Sequence, residues 1–244
     1  MIVSCKTGEE DMRWKWVTLV MLLGCGLGGC GVNTPGNMDW VQPTTKDSPR
    51  VGTVYCIRGW MGIFSSGIDK MADDFNKAGV HAYVFQDMQW KELSKIMVER
   101  YKNSPNPEPI VFLGHSRGVD ASLIIARDLE KVGVPVALIV SLDSVDETVV
   151  GKNVRVCYNY WMPGFFPGTN LLRGIPLVQE EGSTGKLYNI NLNTDAPELK
   201  DPLTTHAVID KAPKLQAKIL EHVLEACPER KDWVSQPRFE AGSK

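Results

Sequence analysis

The chain has 244 residues, 43% of them apolar and 23% charged. That length and composition fit one globular domain with a short extension, and they leave enough apolar surface to build a sizeable core. A net charge of -2 argues against nucleic acid as the main partner, since such partners leave a basic footprint, and no repeat or low-complexity tract points to a solenoid or fibre.

The first element is the apolar, small-residue run 17–29, preceded by Arg13 and Lys15. It is short for a membrane-spanning helix and has the basic and apolar regions of a secretory signal. Glu9, Glu10 and Asp11 put acid where such a signal wants base, so Met12 is the expected start and residues 1–11 lie outside the signal. The run ends in two sequences that resemble a bacterial lipobox: Leu22-Leu23-Gly24-Cys25 and Leu27-Gly28-Gly29-Cys30. Counted from Met12, Cys30 leaves the more usual apolar length, with Cys25 as the alternative. The resemblance implies an acylated cysteine at the mature N-terminus, a membrane partner reached through that lipid anchor, and a place in the bacterial cell envelope. An ordinary cleaved signal is the competing reading. Residues 31–50, rich in Pro, Gly, Asn and Thr, read as a tether. Cys56, Cys157 and Cys227 follow; an odd number gives no disulfide framework, and Cys56 and Cys157 sit in apolar runs as packing thiols.

From residue 51 the pattern alternates. Strands are predicted at 51–57, 81–85, 110–113, 136–142, 154–160 and 187–192. Helices are predicted at 66–78, 90–101, 116–132 and 213–226, the first stopped by Gly79 and the last started by Pro213. Such alternation predicts a mostly parallel sheet with helices on both faces, spanning 51–228, with 229–244 as a C-terminal tail. Ligands in that architecture bind at the carboxyl ends of the strands.

Directly after the predicted strand 110–113 stands Gly114-His115-Ser116-Arg117-Gly118, followed by a helix. This is the G-x-S-x-G nucleophile elbow in its strand–turn–helix context. Gly114 and Gly118 remove side chains that would clash in the tight turn. The turn lifts the Ser116 hydroxyl above the sheet and points free helix N–H groups at a reacting carbonyl. On this motif and the alternation around it, residues 51–226 resemble the α/β-hydrolase superfamily, and within it the small thioesterase, esterase and lipase members. The resemblance implies a three-layer sandwich and the order Ser, then Asp or Glu, then His.

Two histidines lie beyond Ser116. His222 falls inside the last predicted helix, whereas His206 lies in the loop after the last strand, where the superfamily carries its base. For the acid, Asp143 ends the apolar strand 136–142. Many hydrolases place the acid one strand later, but the loop 161–186 holds no Asp, only Glu180 and Glu181. Thioesterase-like members use the Asp143 position. Asp146 is the nearest competitor; Asp195 and Asp201 read as turn residues. The backbone amides of Arg117 and Trp60, the latter following Gly59, are the candidate oxyanion donors. Met61 and Phe64 after the first strand, and Trp161 and Phe165 after a later one, could line an acyl pocket or simply cap the sheet. Arg58 and Arg117 beside the serine hint at an anionic substrate.

The resulting expectation is a serine hydrolase acting on a small-molecule carboxylic ester or thioester through Ser116, His206 and Asp143, with no cofactor and no metal. A non-catalytic hydrolase-fold lipoprotein and an enzyme working on lipid at its own membrane are the alternatives. Paired histidines of a zinc hydrolase and the glycine-rich loops of nucleotide enzymes are missing from the sequence.

Overall fold

The computed structural model describes residues 34–62, 65–146, 149–164, 173–235 and 238–239, with the side chain of Met61 excepted. Cys25, Cys30, Phe64 and Phe165 lie outside the described residues. No helix among the described residues is long and apolar enough to cross a membrane.

A six-stranded sheet in the order β2-β1-β3-β4-β6-β8 forms the middle layer. Its strands are β1 (Thr53–Ile57), β2 (His81–Phe85), β3 (Ile110–His115), β4 (Val136–Leu142), β6 (Val154–Trp161) and β8 (Lys186–Asn191). Every neighbouring pair is parallel. The central strands β1 and β3 are buried along their whole length, which is why they read as unbroken apolar runs rather than alternating ones. Two-residue strands β5 (Val149–Val150) and β7 (Val178–Gln179) pair separately; they are too short for any periodicity to announce.

Alternate side chains of each strand feed two cores. On one face Val54, Cys56, Val111 and Leu113 pack under helices α1 (Ser66–Lys77) and α4 (Pro213–Ala226). On the other, Tyr55, Ile57 and Phe112 pack under α2 (Trp90–Lys102) and α3 (Arg117–Glu130). The helical spacing decides which residues point inward. In α1 these are Ile68, Met71, Ala72 and Phe75, and in α2 Leu93, Met97 and Tyr101. Fully burying Ile68, Met71, Phe75, Leu93 and Met97 contributes about 1.5–3 kcal/mol each. Gly79 ends α1 with φ 84°, a conformation that costs glycine nothing. The three described cysteines are free and buried, and burial pushes their thiols up.

The expected tether and tail are both corrected. From residue 34 the N-terminal segment is packed on the domain, with Val41 fully buried. Gly36 exchanges hydrogen bonds with the Gln89 side chain (2.8 and 2.9 Å), and the Trp40 ring stacks on Tyr83 at 5.2 Å. The reason is the position of β2 at the sheet border, where an exposed strand invites pairing with another chain and needs covering. At the other end of the strands, Glu108 accepts from Thr45 Oγ1 (2.6 Å), the Gly52 amide (2.9 Å) and Arg230 Nη1 (2.7 Å). Arg230 Nε also donates to the Ser48 carbonyl at 3.0 Å. Arg238 reaches the Tyr101 carbonyl at 2.7 Å. Arg230 therefore holds the N-terminal segment in place, while Arg238 packs against the end of α2.

Candidate active site

β1 is followed in the chain by β2 on one side and flanked by β3 on the other. At such a reversal of strand order the loops diverge and leave a crevice at the carboxyl ends. Gly59 and Ser116, which follow β1 and β3, meet in that crevice. A Cβ on Gly59 would stand 3.1 Å from Ser116 Cβ and 3.0 Å from the His115 carbonyl.

Ser116 has φ 55° and ψ −125°, a region sparsely populated by side-chain-bearing residues and worth of order 1–3 kcal/mol of strain. Its surroundings hold it there. The Ser116 amide donates to the Leu142 carbonyl at 2.9 Å, and the Ser116 carbonyl accepts from Val119 at 2.9 Å. Gly114 and Gly118 permit the turn. A Cβ on Gly114 would lie 2.6 Å from the Gly118 carbonyl, and one on Gly118 would overlap the Ile57 carbonyl of β1.

The structure brings together the three side chains expected to meet. Ser116 Oγ lies 3.1 Å from His206 Nε2, and His206 Nδ1 lies 3.2 Å from Asp143 Oδ2. His206 is 9% exposed and Asp143 fully buried. Asp143 leaves β4 with φ 54°, and its amide donates to the Tyr160 carbonyl at 3.0 Å. Its Oδ1 accepts from the Met162 amide at 2.7 Å, so one carboxylate oxygen is held by the residue after β6 and the other faces the imidazole. Burial raises the Asp143 pKa, and the hydrogen bond and charge of His206 pull against that rise. Gly174 lies against the same carboxylate, where any Cβ would overlap Oδ1.

The side chains of the competing residues Asp195 and His222 are engaged elsewhere, and Asp146 is placed by its backbone. The Asp146 amide donates to Asp120 at 3.3 Å. Asp195 accepts from the Asn191 amide and the Thr194 hydroxyl (2.9 and 2.8 Å), as a turn residue does. His222, on α4, stacks on Tyr158 at 3.7 Å and bonds the Tyr160 hydroxyl at 2.8 Å.

Trp60 opens the short 3-10 turn Trp60–Gly62, and Arg117 opens α3. Among the described residues neither amide has a hydrogen-bond acceptor. The Trp60 side chain is 48% exposed. Trp161, half-buried at the end of β6, touches the Gly174 position. The expectation that Arg58 and Arg117 favour an anionic substrate is corrected, because both are neutralised. Arg58 is buried in an ion pair with Asp69, and Arg117 Nε pairs with Asp87 at 3.3 Å. Among the described residues, one concavity lies between α1 and α4 (about 420 Å³) and another between α2 and α3 (about 580 Å³), and Ser116 lines neither.

Two residues that sequence reasoning missed tie the site together. The Asp210 carboxyl, four positions after the base candidate, is 1% exposed, and its Oδ2 accepts from the Gly67 amide at 2.7 Å. It thereby caps the N-terminus of α1, and burial pushes its pKa up to about 6. Ser65, also buried, bonds both Gly59 and His115. A serine just ahead of a helix is an expected cap; nothing in the sequence shows that this one is turned toward residue 115.

The architecture is α/β-hydrolase-like: a parallel sheet between two helical layers, with a strained serine between β3 and α3. Compared with known proteins, no family model and no curated protein matches the chain. Among solved structures it is similar to the RedJ thioesterase from the prodiginine biosynthetic pathway of Streptomyces coelicolor, at 9% identity and TM-score 0.39, covering 92% of this chain and 97% of that one. It is also similar to a cutinase-like protein from Cryptococcus sp., at 10% identity and TM-score 0.38, covering 75% and 97%. Likenesses this distant carry no argument about this chain.

Proposed function

We propose that the protein is a serine hydrolase that cleaves a carboxylic ester or thioester through an acyl-enzyme. The observation that carries this reading is the unbroken side-chain contact from Asp143 through His206 to Ser116 Oγ. Asp143 keeps the His206 proton on Nδ1, which leaves Nε2 free to take the Ser116 proton as Oγ attacks the acyl carbon. The carbonyl oxygen gains negative charge and settles against the Trp60 and Arg117 amides. His206 then gives its proton to the departing alcohol or thiol, and water repeats the cycle on the acyl-enzyme.

The decisive experiment is labelling with a fluorophosphonate probe. Purified protein is expected to label on Ser116, and Ser116→Ala to lose both labelling and p-nitrophenyl butyrate hydrolysis, the latter by about 10⁵-fold or more in kcat. An unlabelled wild type, inert toward such esters, would favour the non-catalytic alternative.

The cell-envelope assignment is a separate proposal resting on the sequence around Cys30. Lipidation there predicts that the full-length protein fractionates with membranes and that Cys30→Ala moves it to the soluble fraction. Two or more acyl chains suffice for stable anchoring. Retention of membrane binding in that variant would transfer the assignment to Cys25 or to an uncleaved apolar segment.

A further inference from the structure

His115 contributes more than a place in the elbow. It is 2% exposed, and both ring nitrogens are used. Nε2 lies 2.8 Å from the backbone carbonyl of His206, and Nδ1 lies 2.8 Å from Ser65 Oγ. A carbonyl only accepts, so Nε2 carries the proton. Nδ1 of the neutral ring is then an acceptor, and the Ser65 hydroxyl donates to it. Ser65 Oγ in turn accepts from the Gly59 amide at 2.9 Å. The direction of each bond is thus fixed, from the Gly59 N–H to Ser65, from the Ser65 O–H to His115, and from the His115 N–H to the His206 carbonyl. Burial pulls the His115 pKa down to about 3, with the neighbouring His206 adding to the fall, so the ring stays neutral in ordinary buffers.

The two ends of this chain matter. Gly59 precedes Trp60, whose amide is one oxyanion donor in the proposed mechanism, and the far end is the backbone of the base itself. The middle member is the residue before the nucleophile. We infer that Ser65 and His115 form a positioning relay that sets the loop of the oxyanion donor and the loop of the base at a fixed distance from Ser116. The inference rests on the hydrolase reading above. It makes neither residue catalytic, since neither touches substrate; it makes the alignment of Trp60 and His206 depend on a hydroxyl and an imidazole that a bare elbow motif does not demand.

The test measures kcat and KM for p-nitrophenyl butyrate, with melting temperature alongside, in Ser65→Ala, His115→Gln, the double variant and Ser65→Thr. Misplacing reacting groups by about 1 Å costs on the order of 100-fold. Each single variant is therefore expected to lower kcat by about 10- to 100-fold with KM changed less than about threefold. The double variant should fall no further than the worse single one, because each break interrupts the same chain. Ser65→Thr, which keeps the hydroxyl, should recover most of kcat. Single variants within about threefold of wild-type kcat, or losses that multiply in the double variant, would overturn the relay while leaving the hydrolase reading intact. Should Ser65→Ala not fold, His115→Gln against Ser65→Thr carries the same comparison. A wild type that neither labels nor turns over the probe overturns the hydrolase reading and the relay with it.

Discussion

Asp143→Asn should abolish turnover while leaving the fold in place, with kcat for p-nitrophenyl butyrate down by about 10⁴-fold. The geometry dictates which way the new amide turns. Oδ1 of Asp143 accepts from the Met162 amide at 2.7 Å, a donor that an amide nitrogen cannot satisfy. The asparagine oxygen must take that place, and its NH2 then faces His206 Nδ1, 3.2 Å away in the native pair. Two donors cannot share that contact, so the imidazole moves its proton to Nε2 and presents an N–H to Ser116 where a lone pair is needed. Asp146→Asn is the control and should stay within about twofold of wild type, because that side chain has no part in the proposed triad. Steady-state kinetics on both variants decide it, and the reverse ranking would move the acid to Asp146.

Gly118→Ala is expected to be the most damaging single methyl in the elbow. Its Cβ would overlap the Ile57 carbonyl and stand 2.8 Å from the Arg58 carbonyl. Both obstacles are backbone, one of them within β1, so neither has a rotamer to yield. Either α3 lifts off the sheet or β1 shifts, and both are buried among Tyr55, Ile57, Phe112 and Val119. A cost of about 3 kcal/mol or more follows, which for a domain of this size lowers the melting temperature by roughly 6–12 °C. Thermal denaturation followed by circular dichroism measures it; a melting temperature within about 2 °C of wild type would show that the strand and helix are held less tightly than their burial implies.

The sheet, its four helices and Ser116 were legible because each rests on a local rule, whereas Asp143 and His206 were reached through the resemblance to the superfamily. The elbow is a steric requirement on five consecutive residues, and the apolar strands and helical stripes repeat at periods a single sequence displays. Asp143 stood out because it ends an apolar run at the position where thioesterase-like members carry the acid. What stayed hidden depends on partners far along the chain. The segment 34–50 has a linker's composition, yet its contacts are with Gln89, Glu108 and Arg230, 53 to 185 positions away. Arg58 and Arg117 looked like free positive charge because Asp69 and Asp87 bear on them only in three dimensions. The turn of Ser65 toward His115 spans 50 positions and leaves no periodic trace.

The course of the N-terminal segment has a consequence for reach. Arg58 Nη1 donates to the Thr34 carbonyl at 3.1 Å, so the chain enters the fold beside the residue that precedes Gly59, not at the opposite pole near Glu108. If Cys30 carries the proposed acyl chains, the four-residue step to Thr34 extends at most about 14 Å. That proposal would hold the side of the fold around Arg58, rather than the pole near Glu108, toward the bilayer.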